Sequence, residues 1–307
     1  MYEEDERPGR GRRGRFDDDE PHYLKRSPRR EPDVSDVDPL DAPETGDRWS
    51  TWDQSTAGER GPQPYPDWLV TELAASDTEL GVVKTGKEAD VMLLRRAVPG
   101  GRECLLAAKR YRSTEHRMFH RDAGYLEGRR VRESRTNRAM SSRSAFGRSA
   151  IAAQWASAEF SALYRLWEVG IELGVQIVPY PVQILGTELL LEFLGTDDGE
   201  AAPRLAQLRP EPKELDDLWR QLLDALTVLA RCQVVHGDLS PYNILVHEGR
   251  LVLIDLPQVV DVVSNPNGPG FLARDVRNVG TWFAARGLSD VDIDGLTADL
   301  LRESGIR

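Results

Sequence analysis

Cysteine is scarce in this chain of 307 residues, which contains only Cys104 and Cys232. The two are far apart in sequence and lack the spacing of metal ligands, so a disulfide framework is excluded. Free thiols of this kind are typical of a reducing compartment. We therefore expect a cytoplasmic protein.

Long hydrophobic runs are missing as well. No stretch approaches the roughly 20 apolar residues that a membrane-spanning helix needs. The N-terminus mixes Glu, Asp and Arg without an apolar core, which predicts no secretory signal. We expect no membrane partner. The formal net charge of −11 argues against nucleic-acid binding over the whole surface, but it leaves a local basic patch open.

Apolar residues are also scarce over residues 1–62, where charged runs alternate with Pro and Gly. Such a segment cannot bury enough apolar surface to offset the entropy lost on ordering. We predict a disordered charged tail over residues 1–62 and a folded domain over residues 63–307. Whether the tail docks, regulates or is merely solvated stays open.

Hydrophobic periodicity after Trp68 indicates strands first and helices second. The expected strands cover residues 81–94, 103–111, 175–182, 188–193, 244–246 and 251–254. The expected helices cover residues 68–80, 151–169, 215–229 and 271–285. This order predicts an α+β fold with two lobes, a small β-rich N-lobe at about residues 63–193 and a reduced helical C-lobe at about residues 194–307.

The chemistry is concentrated in one loop, which contains Asp238 and Asn243 and is followed by a short hairpin that ends at Asp255. Mg²⁺ prefers oxygen ligands and usually keeps several waters, so an amide oxygen and a carboxylate are a sufficient protein contribution. Asn243 and Asp255 can supply them, which leaves Asp238 to orient or deprotonate an incoming hydroxyl. The alternative is that these residues only form turns, as Asp and Asn commonly do.

Phosphates would also need a cation and a covering turn. Lys109 ends a predicted strand, where it is either a phosphate ligand or an edge-strand surface lysine. Glu159 lies on the next predicted helix, where it is either the partner of Lys109 or an exposed acid. The stretch at residues 82–91 lies between two predicted strands and could form a turn that covers a nucleotide, but it has too few glycines to be a phosphate signature by itself.

Several motifs together resemble the RIO family of atypical protein kinases. They are Thr85-Gly86-Lys87-Glu88-Ala89, Trp155 with Glu159-Phe160, Glu192-Phe193-Leu194-Gly195, His236-Gly237-Asp238-Leu239-Ser240 with Tyr242-Asn243, and Ile254-Asp255 with Pro257-Gln258. The resemblance covers about residues 80–285. It implies a protein-kinase-like fold with an ATP cleft between the lobes, and a serine/threonine protein kinase or ATPase that uses Mg-ATP.

The resemblance also implies a role for each matching residue. Asp238 would be the catalytic Asp, and Asn243 and Asp255 would bind Mg²⁺. Asp255 would also be the candidate for a transient aspartyl phosphate. The nucleotide would be held by Thr85, Gly86, Lys87 and Glu88 over the phosphates, by Lys109 paired with Glu159, and by the backbone at Glu192 and Leu194 around adenine. Asp90 departs from the family, which usually has Asn there, and it would add negative charge near the phosphates.

Two other functions stay open. Small-molecule kinases of the aminoglycoside and choline type share the His-Gly-Asp-Leu loop, although the Thr-Gly-Lys-Glu-Ala turn is not expected in them. A nucleotide-gated ribosome-assembly factor with slow ATPase activity would have the same active site. The phosphate acceptor is a protein that the sequence does not identify, and the chain itself is one candidate.

A basic stretch between Arg110 and Arg148 contains eleven arginines and only four acidic residues. This charge excess favours contact with the phosphates of RNA or of a ribosomal particle. The alternative is a solvated loop without a partner.

Overall fold

The computed structural model describes residues 42–112 and 145–306. The statements below refer to these residues. The prediction for the basic stretch concerns mainly residues 113–144, which lie outside them, as does the first part of the predicted tail. Among the described helices, none is long and apolar enough to cross a membrane.

The N-lobe is a six-stranded antiparallel sheet with the strand order β1-β2-β3-β4-β6-β5. Its strands are β1 (Arg48–Trp49), β2 (Ser76–Thr85), β3 (Ala89–Ala97), β4 (Glu103–Tyr111), β5 (Pro181–Leu185) and β6 (Glu188–Glu192). Tight turns connect the hairpins, and Gly100 between β3 and β4 has φ 65°. Glycine adopts this left-handed conformation without the steric cost of a Cβ atom.

One long helix, α1 (Ala145–Leu173), packs against this sheet. Its apolar residues Phe160, Leu163 and Leu166 are buried in the larger hydrophobic core. Glu159 lies next to them on the same helix and is also buried. An acid in this position needs partners, because an unpaired charge in a core is very unfavourable.

The C-lobe is mainly helical. It contains the helices α2 (Pro212–Arg231), α3 (Gly268–Ala284) and α4 (Ile293–Glu303), and two small sheets. One sheet pairs β7 (Val234–Val235) with β10 (Val260–Asp261), and the other pairs β8 (Ile244–His247) with β9 (Arg250–Leu253). The loop that contains Asp238 and Asn243 lies between β7 and β8.

The leading segment, residues 42–75, contacts both edges of the N-lobe sheet. At one edge, β1 pairs with Ser76 and Asp77 of β2. At the other edge, Arg60 forms a bridge with Gln183 of β5, and the Gly61 N–H donates to the Val182 carbonyl at 2.9 Å. The leading segment therefore adds β1 beside β2 at one edge and a bridge beside β5 at the other.

Residues 42–62 correct the predicted tail. Trp52 is only 4% exposed. It packs edge-on against Tyr65 with ring centroids 5.1 Å apart, while the Arg60 guanidinium lies 4.7 Å above its ring. The apolar residues of this segment are few, but they pack against a surface of the folded domain. The average composition of the segment does not show that such contacts exist.

Below the leading segment, a buried polar network joins three strands. The Arg96 guanidinium donates to both carboxylate oxygens of Asp77, at 2.7 and 3.0 Å, and to Gln183 Oε1 at 3.1 Å. The Gln183 amide in turn donates to Thr51 Oγ1 at 2.9 Å. Because every buried group here has a partner, the network links the leading segment to the sheet without an unpaired charge.

Most sequence predictions agree with these elements. The strand at residues 103–111, the helix at 215–229 and the hairpin after Asn243 are confirmed. The helix over residues 68–80 is wrong, because residues 68–75 form turns and β2 begins at Ser76. The strand at 175–182 is also wrong for most of its length, since β5 begins only at Pro181. The single run at 81–94 is two strands, and α4 was not predicted.

Candidate active site

A cavity of about 850 Å³ lies between the N-lobe sheet and the Asp238 loop. Nine of the predicted site residues line it: Gly86, Lys87, Glu88, Lys109, Glu159, Glu192, Leu194, Asp238 and Asp255. Thr85 and Asn243 lie beside the cavity rather than on its wall. The size is within the range of small-molecule sites.

Lys109 is the centre of the site. Its Nζ atom donates to Glu159 Oε1 and to Asp255 Oδ1, both at 2.8 Å. Burial alone would lower the lysine pKa, but the two carboxylates outweigh it and the pKa of Lys109 is raised. Lys109 is therefore a permanent cation on the cavity wall and not a surface lysine.

Glu159 is held by more than the lysine. Its Oε1 atom also accepts from the backbone N–H of Leu256 at 3.0 Å, and its Oε2 atom accepts from the Tyr111 hydroxyl. Burial and the nearby Glu159 charge raise the pKa of Tyr111, so this hydroxyl stays protonated and remains a donor. Glu159 thus joins β4, α1 and the segment that follows Asp255.

Asp255 occupies a strained backbone position just after β9, with φ 68°. Asp and Asn are the non-glycine residues that tolerate the left-handed region best. Although burial raises its pKa, Lys109 and then Lys84 outweigh burial and hold the pKa of Asp255 below its usual value. The side chain is therefore ionised at neutral pH, as a metal ligand or a carboxylate nucleophile must be.

The Asp238 loop is fixed by its own side chains. Asn243 Nδ2 donates to the Asp238 carbonyl at 2.9 Å, so the amide oxygen is the atom of Asn243 that could bind a metal ion. The Asp238 N–H donates to His236 Nδ1 at 3.4 Å, and His236 Nε2 lies 3.0 Å from the Ile254 carbonyl. Burial lowers the pKa of His236. A neutral ring protonated at Nε2 satisfies both contacts.

Helix α3 holds the same loop from below through Asp275. Its two carboxylate oxygens accept from the N–H groups of Gly237, at 2.7 Å, and Leu239, at 3.1 Å. Asn278, one turn further along, donates to the Leu239 carbonyl at 3.1 Å. Burial raises the pKa of Asp275 to about 7 despite the two donors. The position of Asp238 therefore depends on a helix of the C-lobe core.

The turn at residues 85–88 closes one side of the cavity. The Gly86 N–H donates to the Ala89 carbonyl at 3.0 Å, and a Cβ atom on Gly86 would lie 2.8 Å from that oxygen. Only glycine fits this close approach. The next residue, Lys87, contributes to the cavity wall.

The sequence led us to expect that Asp90 adds negative charge near the phosphates. In the structure it adds no net charge to the cavity. Its carboxylate forms a two-pronged ion pair with Arg112 outside the cavity wall. Arg110, which also belongs to the basic stretch, binds Glu188 and Glu79. Both arginines are thus already paired with acids.

The predicted adenine contacts lie on the segment that follows β6. The Leu194 carbonyl accepts from the Ala202 N–H, and the Glu192 N–H donates to the Tyr180 carbonyl, both at 2.9 Å, so these two backbone groups are already hydrogen-bonded. The Glu192 side chain points elsewhere, with Oε2 accepting from the Tyr180 N–H at 2.9 Å. The roles of Glu192 and Leu194 stay predictions.

Three residues at the site were missed from the sequence: Tyr111, Arg204 and Asp275. Lys84 lies in the stretch at residues 82–91, but no role of its own was predicted for it. Tyr111 had a detectable signal, because it lies two residues after Lys109 and therefore on the same face of β4. Asp275 had one too, since it lies among the buried residues Leu272, Val276 and Val279 of α3. Arg204 had no signal, because it reaches the cavity from a loop. The bulge that directs Lys84 into the cavity cannot be located in the sequence either.

A metal centre made of three or more His, Cys, Asp or Glu side chains does not occur among the described residues. The predicted site of one amide and one carboxylate needs no such cluster. Asn243 and Asp255 are also joined through the backbone, because the Ile254 N–H donates to the Asn243 carbonyl at 3.0 Å.

The chain is similar to known proteins of one family. The family described as RIO domain matches residues 105–296. The RIO-type serine/threonine-protein kinase Rio1 of Haloferax volcanii is 35% identical over 218 residues, which are 70% of this chain and 66% of that protein. The serine/threonine-protein kinase RIO1 of Chaetomium thermophilum is 33% identical over 217 residues, or 68% of this chain and 40% of that protein.

Among solved structures, the Rio2 kinase from Chaetomium thermophilum has a TM-score of 0.49 and 20% sequence identity, covering 73% of this chain and 63% of that chain. This chain spans less than two thirds of the length of the curated relatives named above. The family match itself extends from β4 to α4 and includes Lys109, Glu159, Asp238, Asn243 and Asp255. The chain therefore belongs to the RIO family.

Proposed function

We propose that this chain is an atypical serine/threonine protein kinase that binds Mg-ATP in the cavity and transfers the γ-phosphate to a protein hydroxyl. One observation carries the proposal. A buried lysine is held between Glu159 of a helix and Asp255 of the opposite lobe, directly beside a loop that presents Asp238. Phosphoryl transfer needs this kind of fixed charge more than it needs covalent chemistry.

Lys109 would bind the phosphates of ATP. It is charged, buried and fixed by two acids, so little reorganisation is needed when an anion arrives. Glu159 would act as a positioning residue, because it keeps Nζ directed at the cavity while Tyr111 and Leu256 hold the acid itself.

Asn243 and Asp255 would hold Mg²⁺. The pair provides oxygen atoms, the ligand type that this ion prefers, and Asp255 is ionised at neutral pH. When bound, the ion would neutralise phosphate charge and hold the triphosphate in line for transfer.

Asp238 would orient the acceptor hydroxyl and accept its proton. It lines the cavity, and its backbone is fixed by Asn243 and by His236. The neighbouring residues in the loop are fixed by Asp275. A general base has to be held in position before its pKa matters.

The test is mass spectrometry of the intact chain and of added protein substrates after incubation with Mg-ATP. Wild type should place phosphate on serine or threonine, and Asp238→Asn should remove that product. Phosphate on Asp255 alone would indicate an aspartyl-phosphate ATPase, and free phosphate without a modified protein would indicate simple hydrolysis. Either result would overturn the proposed protein kinase activity.

A further inference from the structure

Lys84 of β2 lines the cavity, but the proposed function gives it no role with the nucleotide. A bulge lies between Val82 and Lys84, so the regular alternation of β2 is interrupted there. A bulge of this kind redirects the side chains that follow it. As a result Lys84 lines the cavity, whereas Val82 is exposed on the surface.

Lys84 and Lys109 belong to one row across the sheet. Lys84 is opposite Val91 of β3, and Val91 is opposite Lys109 of β4. Residues directly opposite each other on neighbouring strands share a face, and all three line the cavity. The two lysines also approach the same acid from different sides, Lys109 at Asp255 Oδ1 and Lys84 at Asp255 Oδ2.

The two lysines differ in how firmly they are bound. Lys109 Nζ is 2.8 Å from its two acids and its side chain is 10% exposed. Lys84 Nζ is 4.0 Å from Asp255 and its side chain is 41% exposed. Lys84 is therefore the cation of the pair that an incoming anion can reach and draw away from Asp255.

The strand order fixes where along a nucleotide Lys84 would act. The predicted adenine contacts follow β6, which is the neighbour of β4, while β2 lies two strands beyond β4 in the opposite direction. A nucleotide that extends from the β6 end along the sheet meets Lys109 first and Lys84 last. The outermost phosphate is then the group nearest to Lys84.

We propose that Lys84 binds the terminal phosphate of the nucleoside triphosphate and so makes the cavity prefer triphosphate to diphosphate. This inference rests on the proposed function, since it assumes that a nucleotide occupies the cavity with adenine near Leu194. It adds a phosphate ligand outside the predicted turn at residues 85–88.

The test is calorimetric titration of the full chain with ADP and with a non-hydrolysable ATP analogue, both with Mg²⁺. Lys84→Met should weaken binding of the triphosphate by about tenfold, because a charge-assisted hydrogen bond is lost, and should leave ADP within about twofold of wild type. Lys84→Arg should keep the preference, and Lys213→Met, at an exposed position on α2, should change neither affinity. Thermal unfolding checks that each variant is folded.

The possible results separate the inference from the function on which it rests. Equal loss of both nucleotides in Lys84→Met, or no loss of either, would overturn the role of Lys84 while wild type still binds ATP. Failure of wild type to bind either nucleotide would overturn the proposed function itself, and the inference with it.

Discussion

At the scale of single residues, Asp255 combines a backbone requirement with a charge requirement. Its φ of 68° makes Ala a poor test, because Ala adds backbone strain to the loss of the carboxylate. Asn tolerates the same conformation and removes only the charge. The informative substitution is therefore Asp255→Asn.

We expect Asp255→Asn to abolish Mg-dependent ATP turnover, because it removes the carboxylate that we propose as a ligand of Mg²⁺. Asn243→Ala should reduce turnover less, since a water replaces an amide oxygen more readily than a charge. Steady-state phosphate release measures both. Asp290→Asn is the matched control, because Asp290 also has a positive φ of 62° but lies exposed outside the cavity. Turnover at the wild-type rate in Asp255→Asn would contradict the role of Asp255 as a ligand of Mg²⁺.

Lys109→Met should lower ATP turnover by a factor of about 10² or more, the range found when a preorganised electrostatic contact is lost. Glu159→Gln should reproduce part of the loss, because the neutral amide holds Nζ less firmly. Lys213→Met serves again as the surface control. If Glu159→Gln were silent while Lys109→Met was not, Asp255 alone would be sufficient to orient the lysine.

At the scale of secondary-structure elements, helix α3 positions the Asp238 loop through Asp275. Asp275→Asn leaves one of two buried N–H donors facing an amide nitrogen, which costs about as much as one unsatisfied hydrogen bond. We expect kcat to fall by about tenfold with little change in the affinity for ATP, since the cavity wall is untouched. A variant that lost affinity and kcat together would indicate a general structural role instead.

Asp275 should also leave a signature in the pH dependence of stability. Its pKa of about 7 in the folded chain lies above that of an unfolded Asp, so across the intervening window the folded state holds a proton that the unfolded state has released. Wild-type stability should therefore fall relative to Asp275→Asn as the pH rises from about 4 to about 7. Urea unfolding at both ends of this window measures the difference. An identical pH response of the two proteins would contradict the raised pKa.

Strands and helices could be predicted from the sequence where a short run of neighbouring residues determines them. The strand before Lys109 and the hairpin before Asp255 are continuous apolar runs bounded by turn residues, and both were located correctly. The helix over residues 68–80 failed because the spacing of Leu69 and Leu73 is helical by coincidence, and Leu73 is 78% exposed. The pairing of Lys109 with Glu159 spans 50 positions, so no window of sequence contains it. Residue positions alone left an exposed Glu159 as the alternative, and the family resemblance favoured the pair.

At the scale of the whole molecule, the folded unit begins before the predicted boundary at residue 63. Trp52→Ala should lower the free energy of unfolding by about 3–5 kcal/mol, because it leaves a cavity between the leading segment and the sheet. Leu73→Ala, an exposed position of the same segment, should stay within about 0.5 kcal/mol of wild type. Urea unfolding measures both. Equal stability of wild type and Trp52→Ala would indicate that residues 42–62 belong to the predicted disordered tail and not to the folded unit.

The leading segment pairs with β2 at one end of the N-lobe sheet and with β5 at the other. Unpaired backbone groups at a sheet edge are templates for strands of other molecules. A recombinant chain trimmed to residues 63–307 would lack β1 and the bridge to β5, so backbone groups of β2 and of β5 that are now paired would be exposed together. Such a product would be expected to polymerise during expression, so the practical starting point for a shortened protein is residue 42.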